Sequence, residues 1–392
     1  MIESWRWYGP LDTITLPEVA QTRANGIVTA LHEIPYGEVW TVDDIRARQT
    51  LIREHPDLGL NWIVTESLPV HEDIKRGSND LARLFGNYRQ SLRNLAECGV
   101  MTVCYNFMPL LDWTRTRLDA PVPGGGTALR FSAPHMAAFE IHMLERENAK
   151  DDYSPEVCAA GEKWFSSSTQ EDRSALLASI MAGLPGAYTR YSIEGLQKAL
   201  GAYQGISRAK LRSNFARFLA EIIPTADKLG IRMCVHPDDP PRNILGLPRV
   251  VSNEEDIAWI MDQHDSLANG LTLCSGSLGA NPANDLPAIA SRFADRIHFA
   301  HLRNVRREPD GSFQEAAHLD GDTDMVALVK VLLDEEARRR VVGRIDADIP
   351  FRPDHGHELL DDFKRRAFPG YHLTGRMCGL AELRGVIAAL CH

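Results

Sequence analysis

Residues 350–357, Pro350-Phe351-Arg352-Pro353-Asp354-His355-Gly356-His357, place an anionic oxygen donor and two imidazoles within four positions. The run contains a proline that restrains the backbone and a glycine that frees it. Three earlier apolar, strand-like runs also end on good metal ligands: His236, Cys274 and His301. A lone histidine or cysteine at a strand end is ordinary packing, but His236, Cys274, His301 and Asp354 follow successive strands in phase, which points to one shared ion. A mixed nitrogen, sulfur and oxygen set suits a borderline divalent transition metal such as Mn²⁺, Fe²⁺, Co²⁺ or Zn²⁺, and the thiolate disfavours Mg²⁺ and Ca²⁺. A solvent position left open makes such a site catalytic rather than structural. Arginines gather nearby: Arg303, Arg306, Arg307 and Arg352 suit two-point binding of a substrate carboxylate. His71, His318, His355, His357 and Tyr371 fall near strand ends as candidate acids or bases, whereas Cys234 lies one layer below His236 and belongs to the core.

The elements that must position these residues alternate. Strands are expected over Ser4–Tyr8, Ile27–Leu31, Asn61–Thr65, Met101–Tyr105, Ile231–Val235, Leu271–Cys274, Ile297–Ala300 and Asp348–Arg352, with helices between them. Thr15 with Glu18 makes a capping box, a second helix starts after Thr41, and another spans about Asp80 to Cys98. From Asp112 to Gly205 the rhythm breaks: Pro121 to Gly126 reads as a loop, and the residues beyond it give helical patterns with no convincing strand. A long helix from Ser207 carries Leu211, Phe215, Phe218, Leu219 and Ile222 on one face and should be kinked or shortened by Pro224. A C-terminal helix is expected from Leu380. Eight β/α units predict a (β/α)8 TIM barrel, residues 1–392 as one domain, with a helical insertion at 113–205 between strands 4 and 5. A doubly wound sheet lacks its nucleotide turn here, since no strand leads into GxGxxG.

Bulk properties narrow the function classes. A length of 392 residues buries a large core, and 44% hydrophobic with 24% charged residues is ordinary for a globular protein. No tract has the apolar length to span a bilayer, and the opening MIESWRWYGP lacks a secretory pattern, so a cytoplasmic location is expected. A net charge of −10 with dispersed arginines excludes a basic nucleic-acid face. Seven scattered cysteines without CxxC argue for reduced thiols.

Longer strings carry a resemblance. Trp5-Arg6-Trp7-Tyr8-Gly9-Pro10, Glu66-Ser67, Pro69-Val70-His71-Glu72-Asp73-Ile74-Lys75 and Cys104-Tyr105-Asn106-Phe107-Met108-Pro109 resemble the N-terminal half of the metal-dependent D-mannonate dehydratases. His236-Pro237-Asp238-Asp239-Pro240, Thr272-Leu273-Cys274, Ala300-His301-Leu302-Arg303, His318-Leu319-Asp320-Gly321 and Arg352-Pro353-Asp354-His355-Gly356-His357 resemble its second half. The resemblance covers nearly the whole chain. It implies a xylose-isomerase-like barrel in hexuronate (glucuronate) breakdown that converts D-mannonate to 2-dehydro-3-deoxy-D-gluconate with Mn²⁺ or Fe²⁺. It further implies His236, Cys274, His301 and Asp354 as metal ligands, and His355 with Tyr371 as the acid and base in either order. Arg303, Arg352 and His318 are expected to contact the substrate, and a homo-oligomer (dimer) is expected. The same barrel accommodates two other readings. A metal-dependent sugar isomerase would make a ketose without losing water, and a sugar-acid binding protein would hold mannonate without turnover.

Overall fold

The computed structural model describes residues 1–78, 80–182 and 191–391. In chain order the strands are β1 Ile2–Arg6, β2 Gly26–Thr29, β3 Asn61–Glu66, β4 Thr102–Tyr105, β5 Arg117–Pro121, β6 Thr127–Phe131, β7 Arg232–Val235, β8 Asn269–Cys274, β9 Ile297–His301, β10 Asn304–Arg307, β11 Phe313–Ala316 and β12 Pro350–Arg352. The eight expected strands, β1, β2, β3, β4, β7, β8, β9 and β12, form a closed barrel in that order, and β12 returns to pair in parallel with β1. Strands β8 and β9 are buried along their whole length, which their continuous apolar runs allow. Val28, Val64, Cys104, Cys234 and Phe299 cluster together from these strands, so Cys234 is core as its position implies.

Local signals hold where the backbone chemistry is explicit. Thr15 and Thr41 each cap a helix with a reciprocal bond to the acid three residues on, Glu18 and Asp44, satisfying amides that the helix itself leaves open. The helix Arg208–Leu229 runs through Pro224 instead of stopping there. Proline removes one ladder bond, but the buried face from Leu211 to Ala226 holds the helix together. Its Phe215 ring stacks on Phe107 at 4.2 Å, and this contact anchors the segment after β4.

Two expectations are corrected. The stretch after Trp113 is not purely helical: β5 and β6 form a hairpin whose turn is the Pro/Gly-rich run, with Gly124 and Gly125 at φ 92° and 95°. With the hairpin β10–β11 it makes a four-stranded antiparallel sheet, ordered β10-β11-β6-β5. These strands carry Arg117, Asp119, Arg306 and Arg307 and are only partly buried, so they lack the apolar runs that betray barrel strands. Helices do occur in the same stretch, at Ala133–Ala138, Pro155–Ser167, Gln170–Ile180 and Ile193–Gly201; positions 183–190 of the expected insertion lie outside the described residues.

The C-terminal helix is Leu373–Leu390, beginning well before Leu380. Gly375 and Gly379 weaken a helical reading of its first turns, since glycine disfavours helix interiors. Both are there for close approach. A Cβ at 375 would sit 2.0 Å from the His357 carbonyl oxygen, and one at 379 would sit 2.0 Å from the His318 ring. Gly375→Ala should therefore destabilise the fold and lower its midpoint in urea, because overpacking costs about 1–3 kcal/mol against the roughly 1 kcal/mol that alanine returns to the helix. An unchanged or raised midpoint in urea would mean that the helix docks with room to spare.

Candidate active site

The metal-type donors sit where the barrel puts them, at the carboxyl ends of strands. His236 comes directly after β7, Cys274 ends β8 and His301 ends β9; in the register Cys274 pairs with His301, and His301 with Arg352. Neighbouring strands thus bring these side chains to one level. One donor atom from each of His236, Cys274 and His301 lies within 4.8 Å of the others. Each imidazole is turned by a partner on its far side. His236 Nδ1 donates to the Pro237 carbonyl at 2.7 Å, which leaves Nε2 with a free lone pair facing His301 Nδ1 at 3.1 Å. His301 Nε2 faces the Glu66 carboxylate at 3.3 Å, so its Nδ1 points into the cluster.

Asp354 joins from beyond β12. Its φ of 54° is a left-handed conformation that aspartate tolerates better than most side chains, and it turns the carboxylate back over the strand ends. There Oδ2 lies 3.6 Å from Cys274 Sγ and Oδ1 lies 3.8 Å from His301 Nδ1. Burial alone would push this carboxyl up, but the Arg352 guanidinium, with Arg303 beyond it, holds it well below the usual range. The donors are two neutral-capable imidazoles, one sulfur and one permanent carboxylate, which fits a divalent transition metal and no hard all-oxygen ion.

Arg303 is expected to hold substrate, and the structure gives it another task. It is 1% exposed, and all five of its N–H groups are engaged: Nε by Asp354, Nη1 by both oxygens of Glu315 at 2.9 and 3.1 Å, and Nη2 by Asp239 at 2.6 Å and Ser277 at 3.1 Å. His318 is likewise displaced from the expected role. Its Nε2 donates to the Pro353 carbonyl at 2.6 Å, bracing the residue before Asp354, and burial pushes its pKa down to about 4. Arg306 and Arg307 pair with Asp320 and Asp322 on the surface. His71 caps a short helix, and His357 contacts the Glu315 backbone. Arg303 and Arg352 both line the small central cavity.

His355 and Tyr371 line the same cavity from adjoining segments, which are tied by Gly356 N–H donating to Gly370 O at 2.8 Å. Their rings meet edge to face at 5.1 Å. His355 Nδ1 donates to Glu315 Oε1 at 3.1 Å, so Nε2 is the ring nitrogen left for chemistry. Burial pushes the Tyr371 phenol up, only partly opposed by Arg352, and it keeps its proton at neutral pH.

Sequence reasoning passes over Glu66, Asp239, Glu315 and Arg115 as working residues. Glu66 carries a readable signal, since it ends β3 in the same phase as the metal-type donors. Its carboxylate, opposed by burial, is held well below its usual range by Arg352 and Arg6. Arg115 bridges Asp239 at 2.7 and 3.0 Å and Glu315 at 2.9 Å, but it comes from the second sheet's approach, which no apolar run announces.

The chain is similar to known proteins along its whole length. The family model for D-mannonate dehydratase (UxuA) matches residues 1–392. A mannonate dehydratase of Chromohalobacter salexigens is 52% identical over 391 residues, covering 100% of this chain and 99% of that protein. One from Rhizobium meliloti is 52% identical over 395 residues, covering 100% and 98%. The crystal structure of mannonate dehydratase from Streptococcus suis serotype 2 superposes with a TM-score of 0.77 at 34% identity, covering 100% of this chain and 93% of that one. A D-tagatose 3-epimerase-like protein, at 10% identity and a TM-score of 0.51, shares the fold.

Arg303 therefore has a testable structural role. Burial raises the carboxyls of Asp239 and Glu315, but the nearby guanidiniums, Arg303 among them, bring both below their ordinary values. A carboxylate with a depressed folded pKa contributes stability that is complete above its unfolded value, near about 4, and is lost as pH falls through the folded value. Arg303→Met should cost about 3–5 kcal/mol at neutral pH, because three buried carboxylates each lose one of their cationic partners. Its stability should also fall less steeply than wild type's between about pH 5 and pH 2. An unchanged Tm with only a raised KM would instead place Arg303 on the substrate.

Proposed function

The chain belongs to the D-mannonate dehydratase family and is a hydro-lyase acting on D-mannonate, and we propose that it works with Mn²⁺ or Fe²⁺ held by His236, Cys274, His301 and Asp354. The observation that carries this reading is the convergence of the His236, Cys274 and His301 donor atoms within 4.8 Å, beside a cavity lined by His236, Asp354, His355 and Tyr371. When bound, such a metal supplies Lewis acidity toward the oxygens of the substrate carboxylate, where charge develops as the C2 proton leaves.

The chain's own groups supply the proton transfers. His355 Nε2 takes the C2 proton, a role supported by the Nδ1–H bond to Glu315, which leaves Nε2 its lone pair and stabilises the ring once it is charged. Tyr371 delivers a proton to the departing C3 hydroxyl, a role supported by the burial that keeps its phenol protonated. Arg352, the arginine lining the cavity whose guanidinium lies 5.8 Å from the Tyr371 ring centre, offers positive charge to the substrate carboxylate. The product of C2 deprotonation and C3 hydroxide loss is an enol that becomes 2-dehydro-3-deoxy-D-gluconate.

Chelation under anaerobic conditions should abolish formation of this 2-keto acid, and Mn²⁺ or Fe²⁺ should restore it. His355→Ala and Tyr371→Phe should each lower kcat by about 10²–10⁴-fold with metal content unchanged. Near-normal turnover in both variants would remove the acid–base assignment, and a ketose product would indicate isomerisation.

A further inference from the structure

The short run Cys274-Ser275-Gly276-Ser277 contains more than one ligand. Cys274 ends β8, and Ser275–Gly279 form one helical turn directly after it, so the Ser277 side chain returns to the level of the sulfur. All four residues are buried, with no exposure at Cys274, Ser275 or Ser277. Ser277 Oγ lies 3.1 Å from Cys274 Sγ and also 3.1 Å from Arg303 Nη2. A guanidinium can only donate, so the bond from Arg303 consumes a lone pair on Ser277 and leaves the hydroxyl proton for another acceptor. The acceptor it reaches is the sulfur. Ser277 is thereby oriented by a charge that is itself locked by Asp239, Glu315 and Asp354.

The neighbouring residues maintain this geometry. Ser275 Oγ accepts from Arg303 N at 3.0 Å and approaches the Arg303 carbonyl at 2.6 Å, pinning the end of β8 to the chain leaving β9. Gly276 makes room for the guanidinium, since a Cβ there would lie 2.2 Å from Arg303 Nη1.

We propose that Ser277 is a positioning residue for the metal centre, whose hydroxyl, aimed by Arg303, donates a hydrogen bond to the Cys274 sulfur and tunes the sulfur's electron donation to the metal. This role rests on Cys274 being a metal ligand. Outer partners of metal ligands commonly set ligand orientation and basicity, and a hydrogen bond to a thiolate withdraws electron density from it.

The test uses the full chain loaded with Co²⁺, which reports sulfur coordination by a near-ultraviolet sulfur-to-cobalt charge-transfer band. Ser277→Ala should move that band to longer wavelength, because the sulfur loses its donor and gives up an electron more easily. Ser277→Thr keeps the hydroxyl and should hold the band at the wild-type position. A band unmoved in Ser277→Ala, or moved equally in both variants, would overturn the proposal. If wild type shows no such band, Cys274 is not a ligand; the four-residue donor set then fails, and the role of Ser277 fails with it.

Discussion

The buried guanidinium of Arg303 is the constraint on which the site depends. Its five donors are divided among Asp354, Glu315, Asp239 and Ser277, and each acceptor leads to a different working part. Asp354 faces Cys274 and His301, Glu315 holds the His355 ring, Ser277 contacts the Cys274 sulfur, and Asp239 lines the cavity. A buried ion-pair network is no assurance of stability, because each charge loses its hydration on entering the interior. What it imposes is geometry. Removing one member leaves the remaining buried charges short of a partner, so the arrangement is retained as a unit.

Charge balance obeys the same logic. Arg6, Arg115, Arg303 and Arg352 face Glu66, Asp239, Glu315 and Asp354, and the formal charges cancel. Asp112 lines the same cavity and adds a fifth carboxyl group to this set.

The barrel alone does not complete the site. Glu315 comes from β11 of the antiparallel sheet outside the barrel, and Arg115 from the segment leading into β5. That sheet supplies the carboxylate behind His355, while the C-terminal helix, with glycines at 375 and 379, packs against the backbone at 356–357 and the ring of His318. The wall that carries His355 and Tyr371 is thus clamped between two elements that the barrel carries as additions.

From the sequence by itself, the barrel strands and the phase of His236, Cys274, His301 and Asp354 were determined, because parallel strands buried on both faces must be apolar runs and the fold brings their carboxyl ends together. The family motifs were legible for the same reason: they are contiguous strings at those ends. The second sheet was not, since its charged, partly exposed strands are stabilised by pairing over long separations rather than by local apolar runs; Phe313 meets Phe131 in register across β11 and β6. Nor could the roles of Arg303 and His318 be read from position alone. Whether an arginine at a strand end meets a ligand or three carboxylates depends on where Asp239, Glu315 and Asp354 arrive in space, and only the tertiary structure decides that.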